Sequence, residues 1–455
     1  MITIQKFEDV EDSFFASRDF GSTSAAVHAI LDAVRTKQDE ALHQYSAQFD
    51  VASPAQFAIP TETLETAAKK MKQDRPDLYN ALCYSRDLAI RFAKKQKESF
   101  TDFEIELEPG IFTGQKNIAV DRAGVYVPAG RFPLVSTVVM TVAPALAAGV
   151  KDIVLCTPPR VHPDDFSAAQ QNGTGIPGKA FINGKPYADE NIMAAAFLCG
   201  ATKVFACGGA QAVAAMAFGT QSIPRTDVIV GPGNKFVAEA KKLVYGSVGI
   251  DMIAGPTEVF IIADESARPE WVAADMLAQA EHDIVAQAVL ATPSEELAKS
   301  VAAQIEAQLA VLPTREIAQK SLASCGKIII TKNLEQAAEL ANKKAPEHLE
   351  LAMDKGAERD RLVSLLHNYG SLFIGHGAAE VLGDYAAGLN HTLPTSGSAR
   401  FTGGLSVRMF LKTVTTLRTM PDSSGARASA EAAGYLGDAE GLAAHANAAR
   451  LRIPQ

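Results

Sequence analysis

Apolar residues along the first hundred positions return every three or four steps, with Val27, Ile30, Leu31 and Val34 on one face and charged residues between them. That is the amphipathic helical period, and from Ser22 to Lys97 it predicts a helical covering layer with one buried stripe per helix. A short β region is expected around Phe103 to Val120. The pattern then changes to brief apolar runs that end in glycine turns and lead into longer apolar stretches. Gly124-Val-Tyr-Val-Pro, Asp152–Cys156, Lys203–Cys207 and Asp227–Val230 read as strands, with helices at Ser136–Gly149 and Asn191–Cys199 and after the turns at 208–212 and 231–234. A second series starts at Glu258–Ala263 and continues through a helix from Pro269, a strand at 287–291, a helix at 294–309, a strand at 327–331, a helix at 334–342 and a strand at 370–374.

Strand, glycine turn and helix in repeated alternation imply parallel sheets covered by helices on both faces. The fold class is therefore α/β, with two doubly wound, incomplete Rossmann-like domains, a helical N-terminal layer and a small C-terminal tail domain. The expected division is an N-terminal segment 1–21, a discontinuous first domain 22–125 plus 257–385, a second domain 126–256 and a tail 386–455. Between Pro158 and Asp189 a stretch rich in Gly, Pro and Asn reads as a surface loop or small hairpin.

Composition narrows the function. Of 455 residues, 47% are hydrophobic and 21% charged, which describes a folded chain long enough for two domains. A net charge of -9 argues against broad binding of nucleic acid or acidic membranes, so small substrates are expected. The cysteines 83, 156, 199, 207 and 325 form no C-x-x-C pair, which favours reduced thiols and a cytoplasmic location. No apolar run reaches the length of a membrane span.

Four places offer chemistry. Gln279 and His282 lie three residues apart where the helix from Pro269 ends, so they share a face and could grip a divalent metal. Glu281 between them looks the more natural ligand. Glu347 and His348 offer a carboxylate and an imidazole side by side for proton transfer, although neighbours on a strand point to opposite faces unless a bend intervenes. Asp384 and His391 fall in a loop poor in apolar residues, and Glu440 and His445 on a helix of small residues. The three glycine turns could hold dinucleotide phosphates on their backbone amides, but none has the spacing G-x-G-x-x-G.

In order along the chain stand Gly124-Val-Tyr-Val-Pro, Gly-Gly-Ala-Gln-Ala212, Gly-Pro-Gly-Asn234, Ala-Gly-Pro-Thr-Glu258, Gln-Ala-Glu-His282, Ala-Pro-Glu-His-Leu349, Gly-Asp-Tyr-Ala386, Asn-His-Thr-Leu-Pro-Thr395 and Glu-Gly-Leu-Ala-Ala-His445. Nearly the whole chain thereby resembles the histidinol dehydrogenases. The resemblance implies a zinc-dependent, NAD-linked enzyme that oxidises L-histidinol through the aldehyde to L-histidine. It carries the zinc ligands onto Gln279, His282, Asp384 and His445, and proton transfer onto Glu347 and His348. It puts substrate contacts on Thr257, His391 and Glu440 as well as on the zinc ligands and His348, and NAD contacts, in the 126–256 domain, on Tyr126, Gln211 and Asn234. It also implies a homodimer whose C-terminal segment reaches into the partner's active site.

Some residues depart from the pattern. Position 257 is Thr where the family commonly has Ser, and the 158–189 stretch is an insertion. The run from Ala399 to Thr415 and the following stretch to Gly434 resemble relatives that act on other alcohols, such as sulfopropanediol dehydrogenases, and Arg400 and Arg408 could receive a sulfonate or carboxylate. A non-catalytic binding protein on the same scaffold would be expected to have lost Glu347 or His348, and both are present.

Overall fold

The computed structural model describes residues 2–16, 23–130 and 133–453. Two six-stranded sheets form its frame. The first runs Thr3–Lys6, Lys327–Ile330, Gln287–Thr292, Glu258–Ala263, His348–Ala352, Ser371–Ile374, with every pair parallel. The second runs Gly249–Ile250, Val228–Val230, Arg122–Tyr126, Asp152–Thr157, Lys203–Ala206, Ala58–Ile59, and only the last of these is antiparallel to its neighbour. Strand order reverses between Glu258–Ala263 and His348–Ala352 in one sheet, and between Arg122–Tyr126 and Val228–Val230 in the other. Such reversals leave a crevice where the two neighbouring crossovers diverge.

Alternate residues of each strand enter different cores, which is why these strands read as unbroken apolar runs. In the second sheet Ala123, Val125, Ile153 and Leu155 pack on the helices Thr61–Asp74, Pro76–Lys97, Val135–Ala148 and Glu190–Cys199. Tyr126, Val154, Cys156 and Ile229 face the other way, onto Ser24–Lys37, Asp39–Phe49, Gly209–Phe218 and Lys235–Val244. The first sheet divides in the same manner, with Val259 and Ile261 against Pro269–Ala280 and Phe260 and Ile262 against Leu334–Lys344.

The expected domain division needs correction. Residues 23–126 do not join 257–385: their helices cover both faces of the second sheet, and they supply two of its strands. An amphipathic stripe shows that a helix is buried but not which sheet it covers. Thr3–Lys6 belongs to the first sheet, while residues 17–21 and Ser22 lie outside the described residues.

The 158–189 stretch is more than a loop or small hairpin, although Ile176 and Lys179 do form a tight antiparallel bridge. It holds a short helix, Phe166–Gln171, and a strand, Phe181–Gly184, that pairs in parallel with Ala52–Pro54. In the tail, a strand not expected from sequence, Leu411–Thr419, pairs antiparallel with Ile111–Ala119, itself joined to Phe103–Glu108. Beyond it come two packed helices, Ser424–Ala439 and Ala443–Arg450. No helix among the described residues is long and apolar enough to cross a membrane.

One buried ion pair holds the turn after Val230. Lys241 Nζ meets Asp251 Oδ1 and also donates to the Gly231 carbonyl at 2.9 Å, and Asp251 Oδ2 accepts from Gly231 N at 2.8 Å. Gly231 has φ +115, and a Cβ there would stand 2.2 Å from the Tyr126 carbonyl oxygen, so only glycine fits. Replacing Asp251 by Ala would strand a buried ammonium, and a loss of about 3–5 kcal/mol in urea-unfolding free energy is expected. A change below about 1 kcal/mol would show that the pair does not hold this turn.

Candidate active site

Glu347 and His348 come together at the start of a strand. Ala345 adopts φ +52 and Pro346 follows, so the chain turns just before His348 and brings the Glu347 carboxylate back beside the imidazole. This is the bend that strand alternation alone would not supply. Glu347 Oε2 accepts from the Thr257 hydroxyl at 2.6 Å and from Glu258 N at 2.9 Å, and lies 3.8 Å from His348 Nδ1. Nδ1 donates to the Glu258 carbonyl at 3.1 Å. That bond leaves Nε2 with the lone pair in the neutral ring, and Nε2 is buried without a hydrogen-bond partner, 3.6 Å from Asp384 Oδ1.

The charges here are strongly coupled. Burial raises the Glu347 carboxyl to about 7, although His348 and the Thr257 hydroxyl work against it. Burial pulls His348 down, but the Glu347, Glu380 and Asp384 carboxylates outweigh it and hold the imidazole well above its ordinary value. Asp384 lies below the usual carboxylate range because the His348, His391 and His282 imidazoles overcome its burial. Groups pushed this far apart are suited to passing protons.

Gln279 is fully buried at the end of Pro269–Ala280. Hydrogen bonding requires its amide nitrogen to face Glu380, 3.1 Å from both carboxylate oxygens, and its oxygen to lie 2.8 Å from Thr257 Oγ1. The Thr257 hydroxyl has one proton and stands between Gln279 and Glu347, so it serves one of them at a time. His282 Nδ1 donates to the Ala278 carbonyl at 2.9 Å, leaving Nε2 as its available donor atom for a metal. Glu281 instead accepts from Thr314 Oγ1. The helix ends here with its negative dipole end beside the cavity, an arrangement that favours a cation.

Thr257, Gln279, His282, Glu347, His348, Asp384 and His391 all line one cavity of about 170 Å³. His391 is held by a 3.1 Å contact of Nε2 with Ser136 Oγ, and burial lowers its pKa. Glu440 and His445 are exposed on the tail helices and do not line this cavity within the single chain. Three of the four expected zinc ligands therefore meet, and the fourth does not. Among the described residues no group of three or more His, Cys, Asp or Glu is arranged to hold a metal. Gln279, the available His282 Nε2 and Asp384 supply an amide oxygen, an imidazole nitrogen and a carboxylate to one cavity, a donor set suited to a divalent cation. Arg400 donates to the Lys343 carbonyl, and neither it nor Arg408 lines the cavity.

Leu134 and His282 also line a second, larger cavity of about 830 Å³. It opens at the C-terminal ends of the second sheet's strands, at the point where strand order reverses, and contains Tyr126, Gln211 and Asn234. Gly209, at φ +67, opens the helix Gly209–Phe218, and its N–H donates to Tyr126 Oη at 3.1 Å. Gln211 Nε2 is buried without a partner. Asn234 caps Lys235–Val244, its Oδ1 accepting from Phe236 and Val237 N. Two helix N-termini and an unpartnered amide in a doubly wound crevice suit a dinucleotide.

A dinucleotide-type crevice sharing a wall with a cavity of proton-transfer groups defines the class as a nicotinamide-dependent oxidoreductase. A sequence model of the family "Histidinol dehydrogenase" matches residues 16–175 and 182–453. Histidinol dehydrogenase of Thermosynechococcus vestitus is 41% identical over 445 residues, covering 96% of this chain and 94% of that protein. That of Aquifex aeolicus is 42% identical over 429 residues, covering 94% and 92%. The crystal structure of histidinol dehydrogenase from Elizabethkingia anophelis superposes with a TM-score of 0.86 at 31% identity, covering 99% of this chain and 98% of that one. The chain belongs to the histidinol dehydrogenase family.

Loss of the hydroxyl in Thr257→Val should slow turnover by about tenfold or more, since a hydrogen bond to a carboxylate contributes about 1.5–3 kcal/mol. Thr257→Ser should retain most of it. Equal kcat losses in the two variants would mean that the hydroxyl does not hold Glu347.

Proposed function

We propose that this protein oxidises L-histidinol through the aldehyde to L-histidine, with two NAD per turnover and one zinc per subunit. The observation that carries this reading is the Glu347–His348 pair, set in a cavity that shares Leu134 and His282 with the nucleotide-type crevice. NAD, when bound against Tyr126, Gln211 and Asn234, would accept hydride from the alcohol carbon and again from the hydrated aldehyde. Zinc, when bound by Gln279, His282, Asp384 and a fourth ligand, would supply a Lewis acid that fixes the substrate's polar groups.

The chain's own residues supply the rest. In its neutral form His348, its Nδ1–H committed to the Glu258 carbonyl, takes the hydroxyl proton at Nε2 in each oxidation. Glu347, held by Thr257 and the Glu258 amide, takes a proton from the water that adds to the aldehyde. Its carboxyl, raised to about 7 by burial, suits a base working near neutral pH. Holding the aldehyde in a cavity of about 170 Å³ keeps a reactive intermediate from leaving between the two oxidations. Commitment of Arg400 to a backbone carbonyl supports an amine-bearing substrate over a sulfonate. Glu347→Gln should therefore spare aldehyde formation and suppress aldehyde oxidation by about a hundredfold, measured with each substrate in turn. Equal losses in the two half-reactions would sink the assignment.

We further propose a homodimer in which His445 and Glu440 complete the partner's cavity, in the cytoplasm. Support comes from their distance from the cavity of their own chain, and from exposed apolar residues on the strands and helices beside them, including Phe103, Ile105, Leu417, Tyr435 and Leu436. Mixing an inactive His282→Ala protein with an inactive His445→Ala protein should restore part of the activity, because mixed dimers carry one intact site. No recovery after subunit exchange would refute the shared site.

A further inference from the structure

Asp50 follows the helix Asp39–Phe49 and lines the larger crevice beside Phe49, Val51 and Arg160. Its Oδ2 is buried without a hydrogen-bond partner. Burial raises the carboxyl to about 7, with the Ser46 hydroxyl and the Arg160 charge acting in the opposite direction. A carboxyl oxygen left in this state in the wall of the crevice calls for a further donor from what the crevice binds.

The crevice has two distinguishable ends. Leu134 and His282 are shared with the substrate cavity, so the reacting ring of a bound dinucleotide must lie there. Val51 and Arg160 are shared with a neighbouring cavity walled by the 158–189 segment, which leaves the adenosine half at the Asp50 end. In doubly wound dinucleotide domains the acidic group that reads the ribose hydroxyls stands just past the second strand of the unit, where an arginine instead accommodates a 2′-phosphate. Here that strand, Asp152–Thr157, runs into Pro158-Pro159-Arg160, which offers a cation and no carboxylate.

We propose that Asp50 determines cofactor specificity: its carboxylate accepts hydrogen bonds from the adenosine ribose hydroxyls and repels a 2′-phosphate. Arg160 then serves as the counter-charge of Asp50, tied to the wall by its bond to the Ala129 carbonyl, and is withheld from a phosphate. The carboxylate that this fold places past its second strand is supplied from a helix of the covering layer. The inference rests on assigning the crevice to the cofactor.

Calorimetric titration of the full-length protein with NAD and with NADP, without substrate, tests it. In Asp50→Asn the dissociation constant for NAD should rise about tenfold while that for NADP falls, because one charge-assisted bond and one repulsion are removed together. Asp50→Ser should do the same, and retained NADP binding reports a folded protein. Gln211→Ala should weaken both cofactors by a similar factor. If Gln211→Ala weakens both and Asp50→Asn leaves their ratio unchanged, the role of Asp50 is overturned while the crevice assignment stands. If Gln211→Ala changes neither, the crevice assignment fails and the inference falls with it.

Discussion

The pairing of two neighbouring strand starts governs the site. Val259 stands opposite His348 in the first sheet, so the residues just before them, Thr257, Glu258 and Glu347, meet at its N-terminal edge. The Thr257 hydroxyl and the Glu258 amide then fix the Glu347 carboxylate, while the Glu258 carbonyl fixes the His348 ring. Below them Glu258 is itself buried, with Lys344 Nζ 3.1 Å from its Oε2 and Ser396 N bonded to its Oε1. One strand register thus positions an acid, a base and the hydroxyl that links them to Gln279. A slip by one residue would send each side chain to the opposite face.

The two cavities occupy opposite kinds of edge. Cofactor-type features gather at the C-terminal ends of the second sheet's strands, where helix N-termini supply free amides and a positive dipole end. The proton-transfer cavity sits at the N-terminal ends of the first sheet's strands, beside the C-terminus of Pro269–Ala280, where carbonyls and a negative dipole end favour a cation. A single fold unit repeated with opposite edges turned toward one seam therefore brings anion-binding and cation-binding environments together. His282 and Leu134 lie on that seam.

Much of the scaffold was legible because periodicity survives in any helix or strand with one buried face. The stripe Val27, Ile30, Leu31, Val34 is buried as its spacing predicts. Other features left no such trace. Leu411–Thr419 is largely exposed and held to Ile111–Ala119 by backbone bonds and polar or charged side chains, so it carries no alternation of buried apolar residues. The covering helices gave no sign of which sheet they cover, because a stripe records burial and not the partner. Glu380, which orients Gln279 and crowds His348, stands in a stretch with no motif of its own, and only its acidic neighbour Asp384 hints at it in the sequence.

The sequence by itself determined the α/β class, the two wound units, the glycine turns and an ordered set of short motifs. These are local properties, set by side-chain periodicity or by residue types at fixed spacing. Only tertiary structure decided how they combine. It turned Glu347 back beside His348 through the left-handed Ala345, gave Gln279 its orientation through Glu380, and handed the covering helices to the second sheet. It also left Glu440 and His445 away from the cavity of their own chain and set Asp50 in the wall of the crevice. Contacts between residues far apart in sequence fix each of these, and no local pattern encodes them.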